Sequence, residues 1–257
     1  MNVSLIDVNI ALGNWPFQRF DVRTPAKLAA HLENHGISGG WVSALDSVLY
    51  PDPDVTDLAL RKQMNKTTTL VFAKTLNPVL ANWEKSLCSW IDEYDLRLVK
   101  IFPSYHGYGL PERGPSRLGE KLASAGIPLM IQMRLEDERG QYPMMPVPPV
   151  PPGDIVAFCR RFPGLQVIVL GAYSRELGPL SEGTENLHVD ISFVESLETI
   201  KDALDKIPSD RVLFGSFTPL FYTSAALMKL EHADIDPEQL KSVASGNALR
   251  ILRACRQ

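Results

Sequence analysis

At 257 residues, 45% hydrophobic and 22% charged, the chain has ordinary globular composition and is long enough to bury a large core without disulfide or metal staples. Its net charge of −4 comes with no dense basic patch, which argues against a nucleic-acid partner. No run approaches membrane-spanning length, the opening MNVSLIDVNI lacks a secretory leader's cationic start and cleavage site, and Cys88, Cys159 and Cys255 read as reduced thiols, so a cytoplasmic protein without a membrane partner is expected.

No sequence repeat is present, but eight β-rich runs alternate with amphipathic helical patterns. In chain order the runs are 5–12, 40–45, 69–76, 96–102, 128–135, 165–172, 186–192 and 211–217. Between them lie stretches such as TPAKLAAHLENHG, ANWEKSLCSWIDEY, PSRLGEKLASAG and SLETIKDALDKI, and DPEQLKSVASGNALRILRA follows the last run. Gly36 and Gly126 stand where helix C-caps are expected. This pattern predicts one (β/α)8 TIM-barrel domain over 1–257. A doubly wound open sheet is the alternative, because periodicity does not reveal closure.

Strand phase points to the interior. In the first run Ile6, Val8, Ile10 and Leu12 oppose Asp7, Asn9 and Ala11. In the fourth, Val99 and Ile101 oppose Leu98, Lys100 and Phe102. In the fifth, Leu129, Ile131, Met133 and Leu135 oppose Met130, Gln132 and Arg134. In the seventh, Leu187, Val189 and Ile191 oppose His188, Asp190 and Ser192. The fully apolar faces fit the helix layer, so the polar ones are expected inside the barrel. The third and sixth runs do not resolve in this way. A buried ammonium needs pairing or loses its proton, and Asp190 is the expected partner of Lys100. Asp7, His188 and Asp190 are equally well read as a polar layer that sets barrel register. Lys100 and Arg134 lie towards the C-terminal ends of their strands, where barrel active sites sit, and invite an anionic guest.

The loops after the first, fourth and fifth runs carry more than packing requires. GNWPFQRF supplies Trp15, Phe17 and Arg19. PSYHGYG supplies Tyr105, His106 and Tyr108, and His106 is a candidate proton carrier near neutrality. EDERGQYPMMPVPPVPPGD holds a proline run from Pro143 to Pro152, expected to form a semi-rigid lid over the barrel mouth. One carboxylate of its EDER start is expected to orient Arg134. His31 and His35 lack the H-E-x-x-H order of zinc proteases and fit the C-terminal end of a helix. His232 is expected at the surface. No G-x-S-x-G elbow is present.

With these residues in place, the chain resembles the amidohydrolase-related barrels of the amidohydrolase 2 type, a group of metal-dependent hydrolases and decarboxylases. IDVNIALG is similar to that family's D-x-H-x-H strand, LVKIFP to its fourth-strand region, GIPLMIQM to its fifth strand, RVLFGSFTPLF to R-h-L-F-G-S-D-x-P, and SGNALRIL to its G-N-A-x-R-h-h ending. The departures define a branch lacking the metal-ligand histidines. Asn9 and Ala11 stand where the first strand would supply two histidines and Gln132 where the fifth would supply one. VIVLGAY offers none, and Phe217 replaces the metal-binding aspartate. Asparagine, alanine, glutamine and phenylalanine cannot build a tight divalent shell, so neither metal nor other cofactor is expected.

The resemblance and the interior cations together lead to an expected metal-independent hydrolase of lactonase type, isomerase or decarboxylase. The substrate would be a small carboxylated or sugar-acid-like molecule. Lys100, His106 and Asp190 are the candidate catalytic residues. Asn9, Trp15, Arg19, Tyr105, Gln132 and Arg134 are the candidate binding residues. The alternatives are a non-catalytic small-molecule-binding descendant of an enzyme and a metal hydrolase with unusual ligands such as Asp7, His106 and Asp190. Barrels often form homo-oligomers, although nothing in the sequence marks one.

Overall fold

The computed structural model describes residues 4–64 and 69–255. Residues 1–3, where the opening was read as lacking a leader, lie outside the described residues. Eight parallel strands follow in sequence order: β1 (Ile6–Leu12), β2 (Gly39–Ala44), β3 (Leu70–Thr75), β4 (Leu98–Ile101), β5 (Leu129–Gln132), β6 (Val167–Leu170), β7 (Leu187–Asp190) and β8 (Val212–Leu213). Each pairs with the next. Closure is made outside the regular ladder. Val8 N–H donates to Phe214 O and Ala11 N–H to Thr218 O, both at 2.9 Å, and Ile10 bridges Thr218 in parallel. Sequential order and this closure make the fold a (β/α)8 barrel, not a doubly wound sheet.

The helices are α1 (Pro25–Asn34), α2 (Pro53–Gln63), α3 (Trp83–Glu93), α4 (Pro103–His106), α5 (Arg113–Ala125), α6 (Pro152–Arg161), α7 (Ser174–Ser181), α8 (Thr199–Leu204), α9 (Thr223–Glu231), α10 (Pro237–Lys241) and α11 (Asn247–Ala254). Five begin on proline, whose fixed φ suits the first helical position and whose missing N–H costs nothing there. Thr24, Asp52 and Asp236 cap three of these by accepting a backbone N–H.

The core is layered. Ile10, Leu12, Val42, Val99, Ile101, Ile131, Val169 and Val189 face the helices. The barrel floor is a second cluster of Val8, Trp41, Leu98, Met130, Ile168 and Leu213, plugged from below by Ala248, Ile251 and Leu252 of α11. A third, largely aromatic cluster of Trp15, Phe20, Phe102, Phe193 and Phe217 with Leu135 roofs the mouth. The polar interior residues lie between floor and roof.

The first strand departs from simple alternation. Its pairing with β2 slips between Asp7 and Ile10, leaving one extra residue there. Val8 therefore joins the floor while Ile10 and Leu12 face the helices, and the single apolar face expected over 6–12 does not exist. Leu135 likewise joins the roof, because β5 ends at Gln132.

The unresolved third run hides a second buried lysine. Lys74 points into the helix layer, where its Nζ meets Asp54 Oδ1 at 2.5 Å, Asp57 Oδ2 at 3.0 Å and Thr75 O at 2.6 Å. Asp57 also accepts from Thr75 N at 2.8 Å and Ser47 Oγ at 2.6 Å. Burial pushes the Asp57 carboxyl up, and Lys74 is foremost among the groups opposing that shift. Removing one partner strands the other charge in a dry site. Asp57→Ala is expected to destabilise the barrel by about 3–5 kcal/mol in urea unfolding, whereas Asp54→Ala, at a half-buried position, should cost far less.

Candidate active site

Asn9, Lys100, Gln132 and Asp190 are all buried in the layer between floor and roof. Asn9 joins two charges. Its Nδ2 donates to Asp190 Oδ2 at 3.0 Å and to Ser192 Oγ at 3.4 Å, while its Oδ1 accepts from Lys100 Nζ at 3.2 Å. This orientation follows from chemistry, since an ammonium only donates and a carboxylate only accepts. The direct Lys100–Asp190 pair expected from sequence does not form, because the amide stands between them. Among the described residues no carboxylate comes within ion-pairing distance of Lys100.

Asp190 is held from two further sides. Its Oδ1 accepts Gly171 N–H at 2.8 Å, and Gly171 takes a φ of 80°, which favours glycine. A Cβ on Gly215 would sit 2.5 Å from Asp190 Oδ2, so the glycine of the RVLFG stretch leaves room for this carboxylate.

Burial dominates the protonation of the group. It lowers Lys100 from 10.5 to about 7, opposed by the charges of Asp190 and then Asp7. It raises Asp190, opposed by hydrogen bonds from Ser192, Gly171 and Asn9 and by Lys100. It raises Asp7 from 3.8 to about 6 against hydrogen bonds from Ser216 and Asn9. Asp7 accepts Ser216 N–H at 3.0 Å and Ser216 Oγ–H at 2.5 Å. From there a file of hydroxyls, Ser216, Thr218 and Thr223, leads to His31 Nε2, 2.7 Å from Thr223 Oγ1. His35 Nδ1 lies 2.8 Å from His31 O at the end of α1, and Gly36 follows with a φ of 66°.

Two expectations need revision. His106 does not titrate near neutrality: burial pulls it to about 4, with only the backbone of Val48 and Ser47 close enough to favour its charged form. Neither ring nitrogen makes a hydrogen bond of normal geometry, and the ring faces Phe102 and Tyr108, not Lys100 or Asp190. Arg134 is oriented by Glu176 of α7, not by the EDER run. Its Nη1 and Nη2 donate to the two Glu176 oxygens at 2.7 and 2.6 Å, and the guanidinium lies 3.9 Å over Tyr173. Only its Nε–H lacks a partner. Arg19 stays exposed, beside a rim cavity of about 240 Å³ with Asn14, Phe17 and Arg23. His188 belongs to the lower interior, where Nε2 meets Gln166 Oε1 at 2.8 Å.

The roof ties two loops together. Trp15 Nε1 donates to Glu136 at 3.0 Å, and Phe17 stacks on Tyr142 at 5.2 Å. Trp15 also meets Tyr105 edge-on, whose hydroxyl is pushed well above its usual range by burial and by Glu136. Asp137, the next carboxylate, is taken by Arg139 and by Tyr173 Oη. Strand phase does not reveal several residues of this region. Thr75 is in register with Lys100 across β3 and β4, so the two side chains share the interior face. Glu176 was legible only as the third residue of a helix start, where it also accepts Tyr173 N–H at 2.7 Å. Phe193 carries no sequence signal of its own.

A family model for amidohydrolases, of the Amidohydro_2 type, matches residues 18–254. The chain belongs to the amidohydrolase family. No curated protein matches the chain by sequence. Solved structures match its fold. Dihydroxybenzoic acid decarboxylase from Polaromonas sp. JS666, solved with manganese and the inhibitor 2-nitroresorcinol, is 14% identical over 99% of this chain and 98% of that one, with a TM-score of 0.76. The 5-carboxyvanillate decarboxylase of Sphingomonas paucimobilis is 14% identical over 98% and 99%, with a TM-score of 0.75. An uncharacterised TIM-barrel protein of Bordetella bronchiseptica is 15% identical over 99% and 100%, with a TM-score of 0.76. At such identities the likeness is one of fold.

The manganese of that first structure raises the question of fit. Among the described residues no three His, Cys, Asp or Glu side chains come together as metal ligands, and Asp7, His106 and Asp190 form no such group. The central oxygens are already engaged: Asn9 Oδ1 by Lys100 and the two Asp190 oxygens by Asn9 and Gly171. Phe217 adds an aromatic ring to the roof. The donor set does not fit a divalent metal.

The Lys100 shift has a definite sign. Between about pH 7 and 10 the unfolded chain holds a proton at this lysine that the folded chain has released, so stability rises with pH through that window. Below pH 7 both states are protonated and the cost of the buried ammonium is felt in full. Denaturant titrations across pH 6–10 are expected to show a Lys100-dependent slope on the order of 1 kcal/mol per pH unit. Lys100→Met should flatten it and gain most at the acid end.

Proposed function

We propose that this barrel is a metal-independent enzyme acting on a small carboxylated molecule, by decarboxylation or isomerisation, with Lys100 as the group that holds charge and moves the proton. The observation that carries this reading is the buried Lys100 amine with only a neutral amide oxygen as partner. An amine that exchanges its proton near pH 7 suits both chemistries, since its ammonium form stabilises a developing carbanion and then returns a proton. Asp190, its carboxyl raised by burial, is the second proton carrier, with Asn9 between them. Gln132 Oε1, Thr75 Oγ1 and the free Nε–H of Arg134 are polar contacts left for a substrate. Trp15 and Tyr105 are its aromatic cover.

Hydrolysis is less well served. It needs a base beside a water, and His106 stands apart from the central group. Two of the structural relatives are decarboxylases of hydroxylated aromatic acids, and C–C cleavage asks for the same electrostatic help at the barrel centre.

A second reading is favoured by one fact: Lys100 and Asp190 are 1% and 0% exposed beneath an aromatic roof. A non-catalytic barrel would keep that layer as a polar spacer or a binding site without turnover.

A thermal-shift screen of small keto acids, aromatic acids, sugar acids and lactones separates the readings. A ligand at a hundred times its Kd adds about 2.7 kcal/mol, roughly 5 °C in a chain of this size. The enzyme reading expects stabilisation and slow consumption of one such acid by protein carrying substoichiometric zinc and manganese, both lost in a folded Lys100→Met variant. Stabilisation without consumption supports the binding barrel, and stoichiometric metal with metal-dependent turnover overturns both.

A further inference from the structure

Among the described residues Lys74 and Lys100 are buried and Lys229 is half-buried, and the partners of the three differ. Lys74 is committed to two carboxylates and a carbonyl. Lys229 donates to Ile191 O at 2.9 Å and Ser192 O at 3.1 Å. Lys100 has a single hydrogen bond, at 3.2 Å, to the amide oxygen of Asn9. It is as buried as Lys74 and lacks everything that holds Lys74 in place as a cation.

Its surroundings hold unfilled hydrogen-bonding capacity. Thr75 Oγ1, beside Lys100 in register, has no partner although Thr75 is fully buried. Gln132 Oε1 has none either, its Nε2 being spent on Arg134 O. Gln132 stands two residues beyond Met130, the register partner of Lys100, and so on the same interior face. Buried polar atoms are rarely left unsatisfied, so two orphans beside an under-committed amine point to a guest with its own polar atoms. The remaining walls are apolar: Leu98 and Met130 below and the Phe102 ring 5.2 Å from Nζ.

We infer that Lys100 is a carbonyl-directed nucleophile and that the substrate is a small 3-oxo carboxylic acid, decarboxylated through an imine on Nζ. This rests on the reading above and names its substrate class. The neutral amine attacks the ketone carbon. The N–C bond forms, the carbonyl electron pair moves to oxygen, and that oxygen takes up the proton the nitrogen gives up. Asp190 supplies a second proton, water leaves, and a protonated imine results. The bond to the carboxylate then breaks, its electron pair passes into the enamine and neutralises the nitrogen, and carbon dioxide departs. The enamine carbon takes a proton from solvent, which restores the protonated imine, and water hydrolyses that to the ketone and the free amine while the proton set free returns to Asp190. Water is returned in the last stage, and the net change is one oxo acid anion and one proton giving a ketone and carbon dioxide. A neutral amine is what the first step requires, and at pH 7 an ordinary lysine supplies it in on the order of one molecule per thousand.

Reductive trapping tests this on the full chain. The protein is incubated at neutral pH with acetoacetate and cyanoborohydride, digested and mapped by mass spectrometry. The expected product is one modified peptide carrying Lys100. Its mass gain is that of acetoacetate, or of acetone after decarboxylation, less one oxygen. Occupancy at Lys100 should exceed that at any exposed lysine at least about tenfold. Because the map locates the adduct in the wild-type chain, the outcome does not depend on a variant folding; Lys100→Arg, checked by circular dichroism, should lose it. Trapping confined to exposed lysines, or none, overturns the imine. If trapping fails while a carboxylated ligand stabilises wild type but not Lys100→Met, the imine falls and the proposed function stands. If no carboxylate binds either, both fall.

Discussion

An amide between two charges organises the centre of this barrel. Asn9 accepts from Lys100 and donates to Asp190, so neither ion touches the other and neither is fully compensated. In a dry interior that is costly, and the burial-driven shifts of both groups towards their neutral forms express the cost. The remaining architecture keeps the arrangement in place. Gly171 supplies a backbone donor to Asp190, Gly215 withholds a side chain that would displace it, and an apolar floor and roof bury the group.

The same chain shows how such charges are settled when reactivity is not at stake. Lys74 lies in the helix layer with two carboxylates and a carbonyl around it, and Arg134 is gripped at both ends by Glu176. These are closed accounts of charge that fix α2 and α7 against the sheet. Lys100 stands apart in having a neutral partner, two orphaned polar neighbours and, among the described residues, no carboxylate within ion-pairing distance. Strain is held in the roof as well: Phe217 has a φ of 58°, a conformation that costs a bulky residue about 1–3 kcal/mol and persists only where its neighbours enforce it.

The eight units, their order and the family resemblance were legible because each rests on local pattern: alternation in the strands, caps and prolines at the helix starts, and the R-V-L-F-G and G-N-A-L-R stretches near the end. Strand phase showed the interior face of β4, β5 and β7 and so brought Lys100, Gln132 and Asp190 into one layer. It failed in β1, where an extra residue shifts the alternation, and it was silent in β3, where Lys74 and Thr75 point to opposite layers. Partner choice was beyond it. Glu176 lies 42 residues from Arg134, and nothing local ranks it above the adjacent EDER run.

The sequence by itself determined the class of fold and the presence of a lysine inside the barrel, because composition and period are properties of neighbouring residues. Only the tertiary structure decided which charges meet. It set Asn9 between Lys100 and Asp190, moved His106 away from both and neutralised Arg134. Burial and partner geometry arise from contacts between strands far apart in the chain, and those two quantities fix whether a buried amine stays an ion or becomes a base.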